Sequence, residues 1–270
     1  MKKEYYILGL HREEIQRLGF QHFIWQGQSH ALWKKAGFCS GMKVMDVGAG
    51  PGFATLDLSQ MVGDGGKIIA LERSGIYLDY LKNNISQNNI SNIEIIKQDL
   101  NELDLPSNSL DAAYSRWVFS WLEKPEEVIS KITKTIKSGG VFALTEYFNW
   151  HTLQMIPENK HFERIRLAAF NSWKQMPSEI NIAQKLPEIL HDNGFDIELI
   201  EPIPALGKPK SLVWRWVTGF ARIYSEQLID MGLLTRAEAD DYVRELPKIE
   251  QNLTSFIFGP QMVNIIARKK

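Results

Sequence analysis

The chain has 270 residues, 44% of them apolar, and 31 basic against 32 acidic side chains leave a formal net charge of −1. That length buries a sizeable core, as one domain with insertions or as two small lobes, and a near-neutral chain without a basic stripe interleaved with aromatics excludes recruitment of nucleic acid by a bulk field. The single cysteine, Cys39, forms no internal disulfide, no Cys/His cluster has zinc spacing, and no run of about 18 apolar residues is present to span a membrane.

The opening Met1-Lys2-Lys3-Glu4-Tyr5 lacks the apolar segment of a secretory signal, so a cytoplasmic location is expected. Residues 1–40 are helix-prone and aromatic-rich, and fit a leading lid. Within them, Arg17 and Gln21 stand four apart and share one helix face. Next, Lys43-Val44-Met45-Asp46-Val47-Gly48-Ala49-Gly50-Pro51-Gly52-Phe53 reads as a buried strand, a glycine-hinged turn and a helix start. A dinucleotide fingerprint wants one more residue before its third glycine, which here falls at Gly52 with Phe53 in the place of the glycine. Asp46 at the strand end would repel a diphosphate and attract the cationic end of an amino-acid-like ligand. A loop with no ligand is the plainer alternative.

From 41 to 147, short β-rich runs alternate with helical periodicity, which argues for βαβ units and a parallel sheet. Strands are expected at about 43–47, 67–72, 93–97, 110–115 and 140–146, and helices near 52–62, 75–88 and 125–137, each closed by a breaker such as Gly63-Asp64-Gly65-Gly66 or Ser138-Gly139-Gly140. A further unit places a helix at about 180–193, a stop at Asn193-Gly194 and a strand at Phe195–Ile200, with a last strand over Met262–Arg268. Stretches 148–179 and 207–252 break the alternation and are read as lid insertions hanging from carboxyl ends of strands. The division is thus 1–40 helical lid, 41–147 core, 148–179 lid, 180–206 core continuation, 207–252 helical lid and 253–270 final core strand. Trp150, Phe162, Phe170, Trp173, Trp214, Trp216, Phe220 and Tyr224 would wall an apolar chamber at that edge. Packing of the lids onto the body is the competing role for each.

The turn from Asp46 to Gly52 resembles the first motif of class I S-adenosylmethionine (SAM) methyltransferases: an acidic residue, one apolar residue, then Gly-x-Gly-x-Gly. The resemblance covers residues 12 to 147. It includes Lys137-Ser138-Gly139-Gly140, which matches the family's lysine-proline-glycine-glycine apart from Ser138, and it is similar in its core to the ubiquinone/menaquinone methyltransferase-like group. It implies an α/β fold, a Rossmann-like doubly wound seven-stranded sheet with its last strand antiparallel, and SAM as cofactor. The expected cofactor contacts on the turn are Asp46, Gly48, Ala49, Gly50, Gly52 and Phe53. Glu72, with Arg73 beside it, ends the second strand about twenty residues on, where a carboxylate accepts from both ribose hydroxyls; NAD offers the same hydroxyls. Asp99, between Gln98 and Leu100, sits where the family places an acid on the adenine amino group, with a helix cap as the alternative. Ser115, Arg116 and Trp117 match the segment under the methionine arm, Arg116 being assigned to the methionine carboxylate or to an acid such as Glu14. Arg17 and Gln21 match a leading helix that lies over the cofactor.

Methyl transfer from a sulfonium is an in-line displacement with the leaving group already activated, so positioning and exclusion of water are the main demands. A base is needed only for some acceptors, and Glu146, Tyr147, His151 and His161 are the candidates at the sheet edge. The expected activity is methyl transfer to a small apolar or aromatic acceptor, without metal. A protein methyltransferase would need an open groove, a non-catalytic SAM-binding sensor or scaffold needs no base, and a nicotinamide oxidoreductase is a third alternative. The acceptor atom and the oligomeric state are not encoded in any motif here.

Overall fold

The computed structural model describes residues 12–270, and the expectation drawn from Met1–Tyr5 lies outside them. In chain order the elements are α1 (Arg12–Lys35), β1 (Lys43–Val47), α2 (Phe53–Val62), β2 (Lys67–Glu72), α3 (Gly75–Gln87), β3 (Ile93–Lys97), β4 (Leu110–Arg116), α4 (Pro125–Thr135) and β5 (Ile136–Asn149). There follow β6 (Gln154–Ile156), α5 (Lys160–Lys174), α6 (Leu186–Asp192), β7 (Phe195–Ile203), β8 (Leu206–Gly207), α7 (Leu212–Asp230), α8 (Arg236–Gln251), β9 (Phe256–Phe258) and β10 (Gln261–Lys269).

Seven strands form one sheet in the order β3-β2-β1-β4-β5-β10-β7. Neighbours from β3 to β5 run parallel, whereas β10 is antiparallel to both β5 and β7. The central strands are apolar on both faces, as a sheet covered on both sides requires. Along β1, Met45 and Val47 join one core with Phe142, Leu144 and the apolar stripes of α4 and α6. Val44, pointing the other way, joins Ile68, Tyr114 and Ala143 beneath α1 and α2. A third core, built around Trp150, Trp173, Trp214 and Tyr224, holds α5, α7 and α8 together above the sheet edge.

Several boundaries differ from expectation: α4 ends at Thr135 and not at 137, Ser138-Gly139-Gly140 lies inside β5 and not between elements, and β7 runs on from Ile200 to Ile203. β5 is longer at both ends than 140–146: its buried run continues through Tyr147, and at its start Ile136 is buried but Lys137, Ser138 and Gly139 are exposed. The helix expected from 180 begins at Leu186, with Pro187 in its first turn where a missing N–H costs nothing, and a separate 3-10 turn covers Ile182–Gln184. A small sheet, β6-β9-β8, was not foreseen, since strands this short carry no measurable alternation. β9 falls inside the 253–270 stretch expected to supply only a core strand, and it pairs with the lid strands instead.

Candidate functional site

The turn after β1 sets the floor of the site. Gly48, Gly50 and Gly52 all take positive φ (67°, 57° and 85°), but for different reasons. A Cβ on Gly48 would lie 2.6 Å from Val118 Cγ2, and one on Gly52 would lie 2.4 Å from Leu81 Cδ1, so both permit close packing. A Cβ on Gly50 meets no atom within 4 Å; it would stand in the cavity that Gly50 lines. α2 starts from Gly52 with no side-chain cap, leaving its first N–H groups open.

A cavity of about 850 Å³ lies over this turn. One part of its wall is polar: Arg17, Gln21, Asp46, Glu72, Arg73, Gln98, Asp99 and Arg116, with Ala49, Pro51, Phe53 and Leu100 among them. The other part is formed by Trp117, Tyr147, Trp150, Trp173, Ile180, Trp216, Val217 and Phe220 and carries no formal charge. Gly52 and Ser115, expected at the cofactor, do not line it: Gly52 packs on Leu81, and Ser115 is wholly buried in β4.

Backbone amides hold the carboxylate of Glu72. Oε2 accepts from Gly50 N at 3.0 Å, and Oε1 accepts from Arg73 N at 2.9 Å and Ser74 N at 2.8 Å. Asp99 caps the 3-10 turn Leu100–Glu102 through Asn101 N (2.9 Å) and also lines the cavity. Asp46 is buried and accepts from Thr55 Oγ1 at 2.6 Å. Burial pushes it up to about 6, against the opposing pull of Thr55 and Arg116.

On α1, Arg17 grips Glu14 with two bonds of 2.7 Å and donates a third to Gln21 Oε1, also at 2.7 Å. Gln21 Oε1 further accepts from Trp216 Nε1 at 3.2 Å, which ties α1 to α7 across the cavity. Arg116 donates to Ser29 Oγ at 2.9 Å, stands 3.1 Å from His22 Nδ1 and lies 5.2 Å from the Trp117 ring centre. The acid suggested for Arg116, Glu14, is thus engaged by Arg17.

Three of the four base candidates are elsewhere. Glu146 is fully buried beneath the turn after β4, where Oε1 accepts from Val118 N and Phe119 N, both at 2.7 Å, and desolvation pushes its carboxyl up to about 8. His151 is exposed with its ring against Phe170, and neither residue lines the cavity. His161 sits on α5, 3.9 Å from Asp241. Tyr147 does line the cavity, stacked on Trp117 with ring centres 5.5 Å apart. Of the eight aromatics expected to wall a chamber, Trp150, Trp173, Trp216 and Phe220 do so, whereas Phe162, Phe170, Trp214 and Tyr224 pack the lids. Tyr77, Tyr114 and Met176 also line the cavity and belong to no motif that would have marked them.

The residues present fit an adenosyl amino acid. Gly50 leaves the floor open, carboxylates stand at Glu72 and Asp99, Arg116 is a cation near Asp46, and Arg17 lines the same cavity. Among the described residues no group of His, Cys, Asp or Glu could hold a metal ion, and no helix is long and apolar enough to cross a membrane.

Strand order, the antiparallel β10 and the glycine turn beneath this cavity define the class I, Rossmann-like methyltransferase fold. The chain belongs to the family described as methyltransferase domain, whose profile matches residues 39–194. It is similar to a sterol 24-C-methyltransferase of Gibberella zeae, 26% identical over 77% of this chain and 52% of that protein. It is also similar to the ubiquinone/menaquinone biosynthesis C-methyltransferase of Pseudomonas paraeruginosa, 24% identical over 45% of this chain and 50% of that one. The chain spans about half the length of these curated relatives. Phosphoethanolamine N-methyltransferase 2 of Haemonchus contortus, solved with S-adenosyl-L-methionine, shares the fold with a TM-score of 0.60 at 18% identity, over 100% of this chain and 58% of that one.

Proposed function

We propose that the chain is a SAM-dependent methyltransferase acting on a small, uncharged, apolar or aromatic acceptor. The observation that carries this reading is one cavity lined both by charged and amide side chains beside the glycine turn and by a connected cluster of rings. SAM supplies a methyl group on a sulfonium, ready for displacement by a nucleophile. The chain's own residues bind and orient. Glu72 and Asp99 would accept from the ribose and the adenine, Arg17 and Arg116 would hold the amino-acid end, and Gly50 would let the backbone approach. Trp117, Tyr147 and Trp216 would present ring faces to the acceptor and exclude water, where a nearby positive charge gains about 0.5–2 kcal/mol per ring. Holding two reactants in line supplies roughly 7–11 kcal/mol of a barrier. A lining of rings also favours a small apolar acceptor over a polar protein segment.

The test has two arms. In a thermal-shift series, SAM and S-adenosylhomocysteine at about a hundred times their dissociation constants should stabilise by roughly 2.7 kcal/mol, while NAD has no effect. In the second arm the protein is incubated with radiolabelled methyl donor and a pool of lysate metabolites. Label in a small, organic-soluble product is expected; binding without any transferred label would leave a sensor, and stabilisation by NAD alone would sink the reading.

A further inference from the structure

Three consecutive residues of β5 grip three consecutive residues after β4. The carbonyl of Thr145 accepts from Trp117 N at 3.0 Å. The Glu146 Oε1 atom accepts from both Val118 N and Phe119 N at 2.7 Å. The Tyr147 ring lies on the Trp117 ring, 10° from parallel. Trp117 itself takes a φ of 55°, a left-handed conformation that a bulky side chain adopts only when its surroundings impose it. Its ring then stacks on Trp216 of α7, with centres 6.1 Å apart, and meets the edge of Trp25 of α1 at 6.4 Å. One side chain oxygen, wholly out of water, therefore satisfies the two backbone donors that follow the strained residue, and that residue joins the sheet to both lids.

We propose that Glu146 is a positioning residue: it fixes Trp117 in its left-handed conformation and so sets the aromatic wall of the cavity. The role of that wall in holding an acceptor rests on the function proposed above; the clamp itself does not. The chemistry required of position 146 is an acceptor oxygen that reaches two adjacent N–H groups. A carboxyl or a carboxamide meets that requirement, and a methyl group does not.

Circular dichroism in the indole region tests this without any ligand. The difference between wild type and Trp117→Phe defines the signature of the Trp117 stack. Glu146→Gln should keep that signature, and Glu146→Ala should lose most of it while the far-ultraviolet spectrum stays native. An intact signature in Glu146→Ala, its loss in Glu146→Gln, or an alanine variant that does not fold at all would each overturn the proposal, the last because the contact would then serve the whole sheet. Titration of wild type with S-adenosylhomocysteine, run in parallel, separates failure of the clamp from failure of the cofactor assignment.

Discussion

Replacing Gly50 with valine places a branched side chain in the open floor of the cavity and at a φ that such residues resist, which costs about 1–3 kcal/mol in strain alone. Calorimetric titration should show the affinity for S-adenosylhomocysteine falling by more than roughly a hundredfold. His151→Ala, at an exposed position outside the cavity, should leave it unchanged; a tight-binding Gly50 variant would contradict the placement. Glu146 gives a pH signature. Burial pushes its carboxyl from the ordinary 4.5 up to about 8, so its contribution to stability is complete below pH 4.5 and drains away as pH rises through 8. From pH 5 to 8, wild type should lose on the order of a few kcal/mol relative to Glu146→Gln, at about 1.4 kcal/mol per pH unit. Denaturant unfolding at several pH values checks this, and parallel curves for the two proteins would refute it. Asp46, raised to about 6, adds a slope of the same sign at lower pH. The motif from Asp46 to Gly52 could be read directly because glycine declares a backbone conformation. What it could not declare is the reason for each: Gly52 serves Leu81, not the cavity. Similarly, Glu146 and Tyr147 are neighbours on β5 and point to opposite sides of it, and nothing local says which side is the cavity.

At the scale of elements, α7 divides its aromatics by face. Trp216 and Phe220, four apart, line the cavity, while Trp214 is fully buried and donates Nε1–H to Glu250 of α8 at 2.9 Å. Trp214→Phe should therefore cost about 1–2 kcal/mol in thermal unfolding, from the stranded Glu250 acceptor, with S-adenosylhomocysteine binding unaltered. A large change in binding would show that α7 does not separate its two faces. Helical periodicity showed that a helix lay here; it does not say which stripe meets the sheet, because both stripes are aromatic. The short strands β6, β8 and β9 escaped notice for the opposite reason, since each becomes a strand only through partners distant in sequence.

For the whole molecule, the order of βαβ units was readable because each unit is local, with its own periodicity and breakers. The chamber was readable only in part: Trp150, Trp173, Trp216 and Phe220 were expected in its wall, but the stack of Trp25, Trp117 and Trp216 comes from three separate regions that meet only in the folded chain. A ligand in the cavity would bridge those regions. Hydrogen exchange with S-adenosylhomocysteine should accordingly slow in α1 and over residues 116–122 and stay unchanged along β7; equal slowing everywhere would indicate global stabilisation instead.

β10 lies between β5 and β7, buried along most of its length, and it follows β7 by the whole of the α7–α8 lid. During synthesis on the ribosome, therefore, β5 and β7 both emerge before the strand that joins them exists. Until β10 arrives, each presents a row of bare amides and carbonyls to any other extended chain nearby. The nascent protein thus passes through an interval in which its own half-built sheet is its chief hazard, and chaperone demand should peak there and end once translation has delivered the central rung.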